Sequence, residues 1–298
     1  MNHRIIVQQP KDDTLGSSIL KLLEVLRQLD NVQLGDTIVI DITKISFATP
    51  VLILPLSSII ANLQNSGHDV TIQGGSSYLQ TVLFPNGFNA LDRENWADSL
   101  NYYRTGTYLP ICQIPAGESE TGIRDRLLTV FGSIMLQQLN ITGQLLTAIR
   151  YLISETMDNI VEHARVSNGW IMVQNYPSKC FLDICILDRG VGIRGSYINH
   201  HIGEIPNDQI ALRQAINVQS TKQIAETRGY GINTSRRMLV DGIKGKFFLF
   251  SGSAFYIYTN DLEQITPLER FYSWKGTMLA LRVPRDIPAN FDYTSYLE

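Results

Sequence analysis

Apolar residues change spacing several times along the first third of the chain, and the alternation predicts strands and helices in turn. A short apolar strand is expected at residues 4–8, and Leu and Ile recur at helical spacing over residues 17–29. Residues 36–42 (DTIVIDI) are nearly continuous in β-branched residues, as expected of a strand covered on both faces. An apolar helix ending near Asn62 follows, and then a strand at residues 69–73. Short connections between these elements predict a small α/β layer with parallel pairing.

The second half opens with helical patterns and then changes to strands. From Leu145 onward, a broad apolar stripe at helical spacing predicts a long buried helix. Strands are expected at residues 169–174, 180–187, 245–251, 254–258 and 276–283. A helix pair followed by mostly antiparallel strands, with one more helix between them, favours an α/β sandwich.

Residues 100–122 differ in character from both halves. They mix turn residues with polar groups, including Pro110, Pro115 and Gly117, and such a mixture is typical of a domain junction. A chain of 298 residues is long enough for about two domains. We therefore expect an N-terminal α/β domain at residues 1–105 and a second domain at residues 120–298.

Composition and charge exclude several classes of function. The chain carries 25 Lys and Arg against 28 Asp and Glu, so no direct binding of nucleic acid through a basic surface is expected. Its three cysteines have no zinc-site spacing and suggest free thiols in a reducing compartment. The first residues have no apolar signal region, and the most apolar window, residues 51–63, is shorter than the roughly 20 residues that a membrane span needs. A cytoplasmic protein with no membrane partner is expected.

The first candidate for chemistry is the pair Glu155 and Asn159, in the segment SETMDNIVEHA of the long predicted helix. Their i,i+4 spacing places both side chains on one helix face. A carboxylate and an amide oxygen together can hold Mg²⁺ and polarise a nucleophile, because hard cations take oxygen ligands. Taken alone, such a pair is more often the solvated side of an amphipathic helix.

The second candidate is the segment DRGVGI, which begins at Asp188 directly after the apolar strand FLDICIL. An acid at the carboxyl end of a strand, followed by Gly190 and Gly192, is typical of a place where backbone comes close to a ligand. The carboxylate can accept a hydrogen bond from an exocyclic amine such as that of adenine. A glycine turn between a strand and a helix is the equally good alternative.

The third candidate is the segment RGYGI, which contains Arg228, Gly229, Tyr230 and Gly231. It precedes NTSRRML, where a helix is expected to begin. Glycines before a helix leave backbone N–H groups free to meet phosphate oxygens. A GxG motif alone is a weak signal.

The polar stretch before this segment, residues 196–227, is either a mobile lid or an ordinary long excursion. It contains Thr221 and Lys222, whose hydroxyl and ammonium groups can contact a phosphate. Later in the chain, Thr277 opens the strand MLALRV, where threonine usually reflects only β-propensity.

In order along the chain, these motifs are ExxxN, DxGxGI, a polar stretch, GxG and a GT pair on a late strand. This order resembles the ATP-binding domain of the GHKL superfamily, which includes histidine kinases, anti-sigma-factor serine kinases, type II topoisomerases and chaperones. The resemblance covers residues 120–285 and implies a Bergerat-type two-layer α/β sandwich that binds ATP and Mg²⁺.

The resemblance also implies roles for the matched residues. Glu155 would be the general base, Asn159 the Mg²⁺ ligand and Asp188 the acceptor for the adenine amine. The residues expected to bind the cofactor are Asn159, Asp188, Gly190, Gly192, Thr221, Lys222, Arg228, Gly229, Tyr230, Gly231 and Thr277.

The N-terminal half is similar to a STAS domain through residues 36–74, which read as a strand, an acidic turn, a helix and a second strand. Regulatory domains of that family carry a phosphorylatable hydroxyl at the turn. Here the turn reads Phe47-Ala48-Thr49-Pro50, without the usual acid and serine. A structural STAS-like module is favoured over a phosphorylated one, and only Thr49 offers a hydroxyl.

Within the superfamily, the histidines discriminate between members. None lies between residues 69 and 162, where a sensor kinase places its phosphoacceptor helix, so a self-phosphorylating histidine kinase is not expected. Only about twenty residues follow Thr277, so a topoisomerase or chaperone, which needs a large transducer there, is not expected.

Two hypotheses follow. The first is a Mg²⁺-dependent ATPase or serine/threonine kinase similar to anti-sigma-factor kinases, with Glu155 as base. The second is a nucleotide-gated protein-interaction switch with little turnover. Either has a protein partner of the sigma-regulator or another signalling kind, and a homodimer is left open.

Overall fold

The computed structural model describes residues 1–92, 95–117, 120–139, 143–201, 204–217 and 231–297. The chain is an α/β protein, and its described residues form two sheets of different size. Within the described residues, no helix is long and apolar enough to cross a bilayer.

The smaller sheet lies at the N-terminus and has three parallel strands in the order β1-β2-β3. Its elements are β1 (Asn2–Ile6), α1 (Leu15–Leu29), β2 (Thr37–Asp41), α2 (Pro50–Asn65) and β3 (Asp69–Gln73). Parallel pairing follows from the helix between each pair of strands. The expected parallel α/β layer is thus present, and β3 has the bounds that the sequence predicts.

The larger sheet has eight strands in the order β10-β9-β8-β11-β7-β6-β5-β4. Its neighbours are antiparallel except for β4 and β5, which are parallel. The elements of this part are α3 (Ser77–Thr81), β4 (Phe88–Asn89), α4 (Trp96–Asn101), β5 (Tyr108–Pro115), α5 (Thr121–Leu139), α6 (Gly143–His163), β6 (Asn168–Tyr176), β7 (Phe181–Leu187), α7 (Gly192–Asn199), α8 (Asp208–Ile216), α9 (Gly231–Arg237), β8 (Lys246–Gly252), β9 (Ala254–Tyr258), β10 (Glu263–Pro267) and β11 (Trp274–Pro284). Helix α9 continues into a π-helical turn at Met238–Gly242.

The stretch expected as a junction contains a strand of the larger sheet. Ile111, Cys112 and Ile114 of β5 are fully buried, and β5 pairs with β6 along most of its length. The strand accommodates Pro110 at an irregularity of register between Leu109 and Cys112, where a residue without an N–H group disturbs the ladder least. Turn-forming residues at these positions therefore do not interrupt the sheet.

The two faces of the larger sheet are covered by different parts of the chain. The front face, which includes Ile184, Leu249 and Leu281, packs with α4, α5, α6 and α8. The rear face, which includes Met172, Phe250, Met278 and the fully buried Trp274, packs with the N-terminal helices and strands.

Helix α2 lies between the two sheets. It contacts β3 on one side and both β6 and β7 on the other, and every residue from Pro50 to Ile60 is buried. A helix that is apolar around its whole circumference is stable only when it is covered on all sides. The sequence of α2 therefore agrees with its position in a shared core.

A buried ion pair joins the N-terminal part to β7 and β11. The guanidinium of Arg282 donates to both carboxylate oxygens of Asp183, from Nε at 2.7 Å and from Nη2 at 2.8 Å. The same Nη2 donates at 2.5 Å to the backbone oxygen of Asp13, whose side chain pairs with Lys179 at 2.6 Å. The loop before α1 is thereby fixed to the two central strands of the larger sheet, β7 and β11.

The hydroxyl of Thr49, the position considered for phosphorylation, is inside the fold. Thr49 precedes α2, is 2% exposed, and its hydroxyl lies 2.7 Å from that of Ser18 on α1. A kinase cannot reach this hydroxyl in the folded protein. The position is therefore structural in this conformation.

Candidate functional site

Helix α6 carries Glu155 and Asn159 on one face, one turn apart and both half-buried. The start of α9 lies against this face: a Cβ atom on Gly231 would come within 2.5 Å of a carboxylate oxygen of Glu155. Glycine at this position lets the backbone approach the carboxylate. Two motifs far apart in sequence, ExxxN and the second glycine of GxG, are thus adjacent in the fold.

Tyr151 lies one turn before Glu155 on the same helix, and its phenol is partly buried. Burial, and secondarily the charge of Glu155, raises the pKa of the Tyr151 phenol to about 12. The phenol is therefore neutral at physiological pH. It cannot act as a base beside Glu155, which leaves the carboxylate as the basic group on this face.

Asp188 follows β7 and is 3% exposed. Its carboxylate accepts a hydrogen bond from the N–H of Gly190 at 2.7 Å. Burial raises the pKa of Asp188 to about 6, although this hydrogen bond and the polar groups of Thr277 act in the opposite direction. The result is a buried carboxyl group that is mostly ionised at pH 7 and fixed in orientation.

The two glycines after Asp188 are needed by the packing of the chain itself. A Cβ atom on Gly190 would lie 1.9 Å from the carbonyl oxygen of Ala164, just beyond α6. Gly192 has a φ of +69°, and its Cβ would lie 2.8 Å from the hydroxyl of Ser251. The glycines therefore allow the turn after β7 to touch the end of α6 and the end of β8, whether or not a ligand is bound.

Ser251, which we did not predict, ties these segments together. Its buried hydroxyl donates to the carbonyl oxygen of Gly276 at 2.8 Å and accepts from the N–H of Ile193 at 2.9 Å. One side chain on β8 thus connects the start of α7 to β11. In the sequence, Ser251 is only the polar end of the strand KFFLFSG, so no local signal distinguishes it.

Helix α6 connects the two halves of the candidate site. Its end at Ala164 touches Gly190, and Glu155 lies nine residues earlier, about 13 Å along the helix axis. The structure therefore places Asp188, Gly190, Gly192 and Thr277 at one end of α6. Glu155 and Asn159 lie further back along the same helix, with Gly231 of α9 against Glu155.

Five of the predicted cofactor-binding residues lie outside the described residues: Thr221, Lys222, Arg228, Gly229 and Tyr230. Of the stretch interpreted as a lid or an excursion, the described portion contains the end of α7 and the whole of α8. Among the described residues, no group of three or more His, Cys, Asp and Glu side chains is placed to hold a metal ion.

Comparisons with known proteins assign no family to the chain. No family model matches it, and no curated protein sequence matches it either. Any assignment of function therefore rests on the residues of the site and their arrangement.

Proposed function

We propose that the chain is a Mg²⁺-dependent ATP-binding regulatory protein, an ATPase or a serine/threonine kinase of the anti-sigma-factor type. In this proposal the larger part is a GHKL domain, the smaller part is a STAS-like module, and the protein acts in cytoplasmic signalling. The observation that carries the proposal is the arrangement around α6: Gly190, beside Asp188, touches the backbone just after the helix, and Glu155, which lies against Gly231, is about 13 Å further back along the helix axis.

The chemistry of Asp188 fits an adenine ring. An ionised carboxylate is only an acceptor, and adenine presents an amine that donates. The N–H of Gly190 already donates to this carboxylate and fixes its direction, so an incoming amine meets an acceptor that does not need to reorient. Guanine presents a carbonyl in place of that amine, and two acceptors facing one another repel.

The donor set on α6 fits Mg²⁺. This ion keeps several waters and phosphate oxygens and is commonly held by only one or two protein oxygen ligands. The side chain of Asn159 supplies one such oxygen, which agrees with the lack of a larger metal-ligating cluster among the described residues. When bound, Mg²⁺ would neutralise charge on the phosphates.

Glu155 is the group on this face that can take a proton. It is half-buried, it lies against the backbone at Gly231, and the neighbouring Tyr151 phenol stays neutral. In the proposed reaction its carboxylate accepts the proton of the attacking water or hydroxyl group. A protein that only binds nucleotide has no need of a base here, so Glu155 favours turnover.

The packing of the N-terminal half favours a second candidate function, the nucleotide-gated switch. Strand β7, which ends just before Asp188, belongs to the sheet whose rear face packs against the N-terminal helices. A displacement at the end of β7 is therefore transmitted by direct packing to the N-terminal part, which in this alternative binds a signalling partner. In this alternative ATP is bound but turned over slowly.

Calorimetric titration of the wild type with ATP and MgCl₂ tests the binding proposal. We expect saturable binding that is lost in D188N, because an amide N–H then faces the adenine amine. D208N is a matched control: Asp208 also accepts from a backbone N–H and a hydroxyl, both of Ser253, at 2.9 Å. Equal binding by the wild type and D188N would overturn the adenine assignment.

Incubation with γ-labelled ATP separates the activities. Label in free phosphate indicates an ATPase, label on an added protein indicates a kinase, and neither indicates the switch. We expect E155A to keep the binding of the wild type and to lose release or transfer of phosphate. Unchanged phosphate release in E155A contradicts the role of Glu155 as base.

A further inference from the structure

Arg189 follows Asp188 and has an unusual environment. Two of its guanidinium nitrogens, Nε and Nη1, are buried and have no hydrogen-bond partner among the residues that the structure describes. The guanidinium lies over the ring of Trp274 with 4.6 Å between Cζ and the ring centroid. Burial lowers the pKa of Arg189 to about 10, and the charge of Asp188 opposes this shift. A cation–π contact and the neighbouring carboxylate therefore hold this cation without the hydrogen bonds that usually accompany burial.

Trp274 lies in the core shared by the two parts of the chain. It is the first residue of β11, it is fully buried, and its indole N–H has no hydrogen-bond partner within the described part of the chain. The strand register is irregular between Trp274 and Thr277. Gly276 has a φ of +111°, and a Cβ atom there would lie 2.3 Å from the carbonyl oxygen of Asp188. This irregularity brings Thr277 to the carboxylate of Asp188 and Trp274 beneath Arg189.

The residues just before Trp274 touch the N-terminal part. The turn Arg270–Tyr272 packs against α1. The guanidinium of Arg27 on α1 lies over the ring of Phe271, 5.9 Å from its centroid. A continuous series of contacts thus leads from Asp188 through Arg189, Trp274 and the turn to α1.

Occupancy of the site would change the forces on Arg189. The buried guanidinium depends on the full negative charge of Asp188, because attraction between charges is strong away from water. A ligand N–H that donates to the carboxylate spreads that charge and weakens the attraction. Among the described residues, no hydrogen bond from Nε or Nη1 holds Arg189 in position, so its stacking on Trp274 adjusts.

We propose that Arg189 and Trp274 couple occupancy of the site at Asp188 to helix α1 of the N-terminal part. This coupling rests on the proposed function, because it needs a ligand that donates to Asp188. It regulates by linkage: a partner that binds the N-terminal part changes the affinity for nucleotide by the same factor as nucleotide changes the affinity for the partner.

Hydrogen–deuterium exchange with mass spectrometry tests the coupling on the full chain, with and without ADP and MgCl₂. ADP is the probe because it carries the adenine ring without turnover. In the wild type we expect slower exchange at residues 188–193 and also at α1 and the turn Arg270–Tyr272, with at least about a fivefold change. R189M should keep the change at residues 188–193 and lose the change at α1 and the turn.

R126M is the matched control. The guanidinium carbon of Arg126 lies 5.1 Å from the ring centroid of Trp96, in an arginine–tryptophan pair that does not include residues of the candidate site. It should respond to ADP like the wild type. R189K keeps the positive charge but lacks the planar group that stacks on Trp274, so it should lose the change at α1 and the turn as R189M does. Agreement between the two variants would show that the loss in R189M is not caused by misfolding of R189M.

The outcomes are distinct. Protection at residues 188–193 without any change at α1 or the turn overturns the coupling and leaves ATP binding in place. Protection at α1 that survives in both R189M and R189K also overturns it. If ADP changes exchange nowhere in the wild type, the proposed function fails, and the coupling fails with it.

Discussion

Asp188 and Thr277 are hydrogen-bonded across neighbouring strands. The N–H of Asp188 donates to the carbonyl oxygen of Thr277 at 2.9 Å, and the polar groups of Thr277 act to lower the pKa of the Asp188 carboxyl group. The strand neighbour of Asp188 therefore favours the ionised carboxylate before any ligand arrives. Burial still dominates, and the pKa of Asp188 stays raised at about 6.

The raised pKa predicts a pH dependence of stability. Between about pH 6 and pH 4 the folded chain binds a proton at Asp188 that the unfolded chain does not, so this contribution grows as pH falls. We expect the free energy of unfolding of the wild type, minus that of D188N, to be about 2 kcal/mol larger at pH 4.5 than at pH 7.5. Urea denaturation at constant ionic strength measures it. A difference that does not vary with pH contradicts the assignment.

Substitution of Gly190 tests whether the turn after β7 is as tightly packed as the structure indicates. G190A places a methyl group 1.9 Å from the carbonyl oxygen of Ala164, and we expect a loss of about 3 kcal/mol in stability. Gly16 is a matched control, because a Cβ there meets nothing within 4 Å and the residue is helical. G16A should be neutral or stabilise by up to about 1 kcal/mol in the same denaturation measurement.

The buried hydroxyl pair between α1 and α2 makes a double-mutant cycle informative. T49V and S18A should each cost about 1 kcal/mol, because each leaves the other hydroxyl without its partner at 2.7 Å. The double variant S18A/T49V should cost clearly less than the sum of the two. Additive costs would show that the hydroxyl groups do not interact.

The Asp183–Arg282 pair is expected to be strongly coupled. Asp183 is fully buried, and its burial raises the pKa of the carboxyl group despite the guanidinium of Arg282. D183N or R282M should cost about 3–5 kcal/mol, because each leaves one buried charge unpaired. Replacing both with apolar residues, as in D183L/R282M, should recover much of that loss in thermal or urea denaturation. A double variant as unstable as the worse single variant contradicts this account.

Periodicity predicted the elements whose local pattern is strong. The strand at residues 69–73 and the long helix beginning near Leu145 are confirmed. Strand β5 was missed because Pro110 and Pro115 suggested a junction, whereas its burial depends on β6. Strand β10 was missed because it is a polar edge strand in which Glu263 and Gln264 are exposed.

The residues of the candidate site also fall into two groups, those that a local sequence motif reveals and those that only the tertiary structure brings together. Asp188, Gly190 and Gly192 are close in sequence, so one motif reveals them. The contact of Gly231 with Glu155, and the tie through Ser251, depend on how distant segments meet. The stacking of Arg189 on Trp274 joins residues 85 positions apart, and neither has a local pattern that marks it. Single-sequence reasoning has no access to such pairs.

The position of α2 has a consequence for how the chain unfolds. Since one helix is the common partner of both sheets, its loss exposes the rear face of the larger sheet and the inner face of the smaller one together. Neither sheet keeps its side of this shared core covered when the other melts, so the unit that unfolds cooperatively is larger than either sheet. Denaturation should follow a single cooperative transition, with circular dichroism and tryptophan fluorescence changing at the same denaturant concentration.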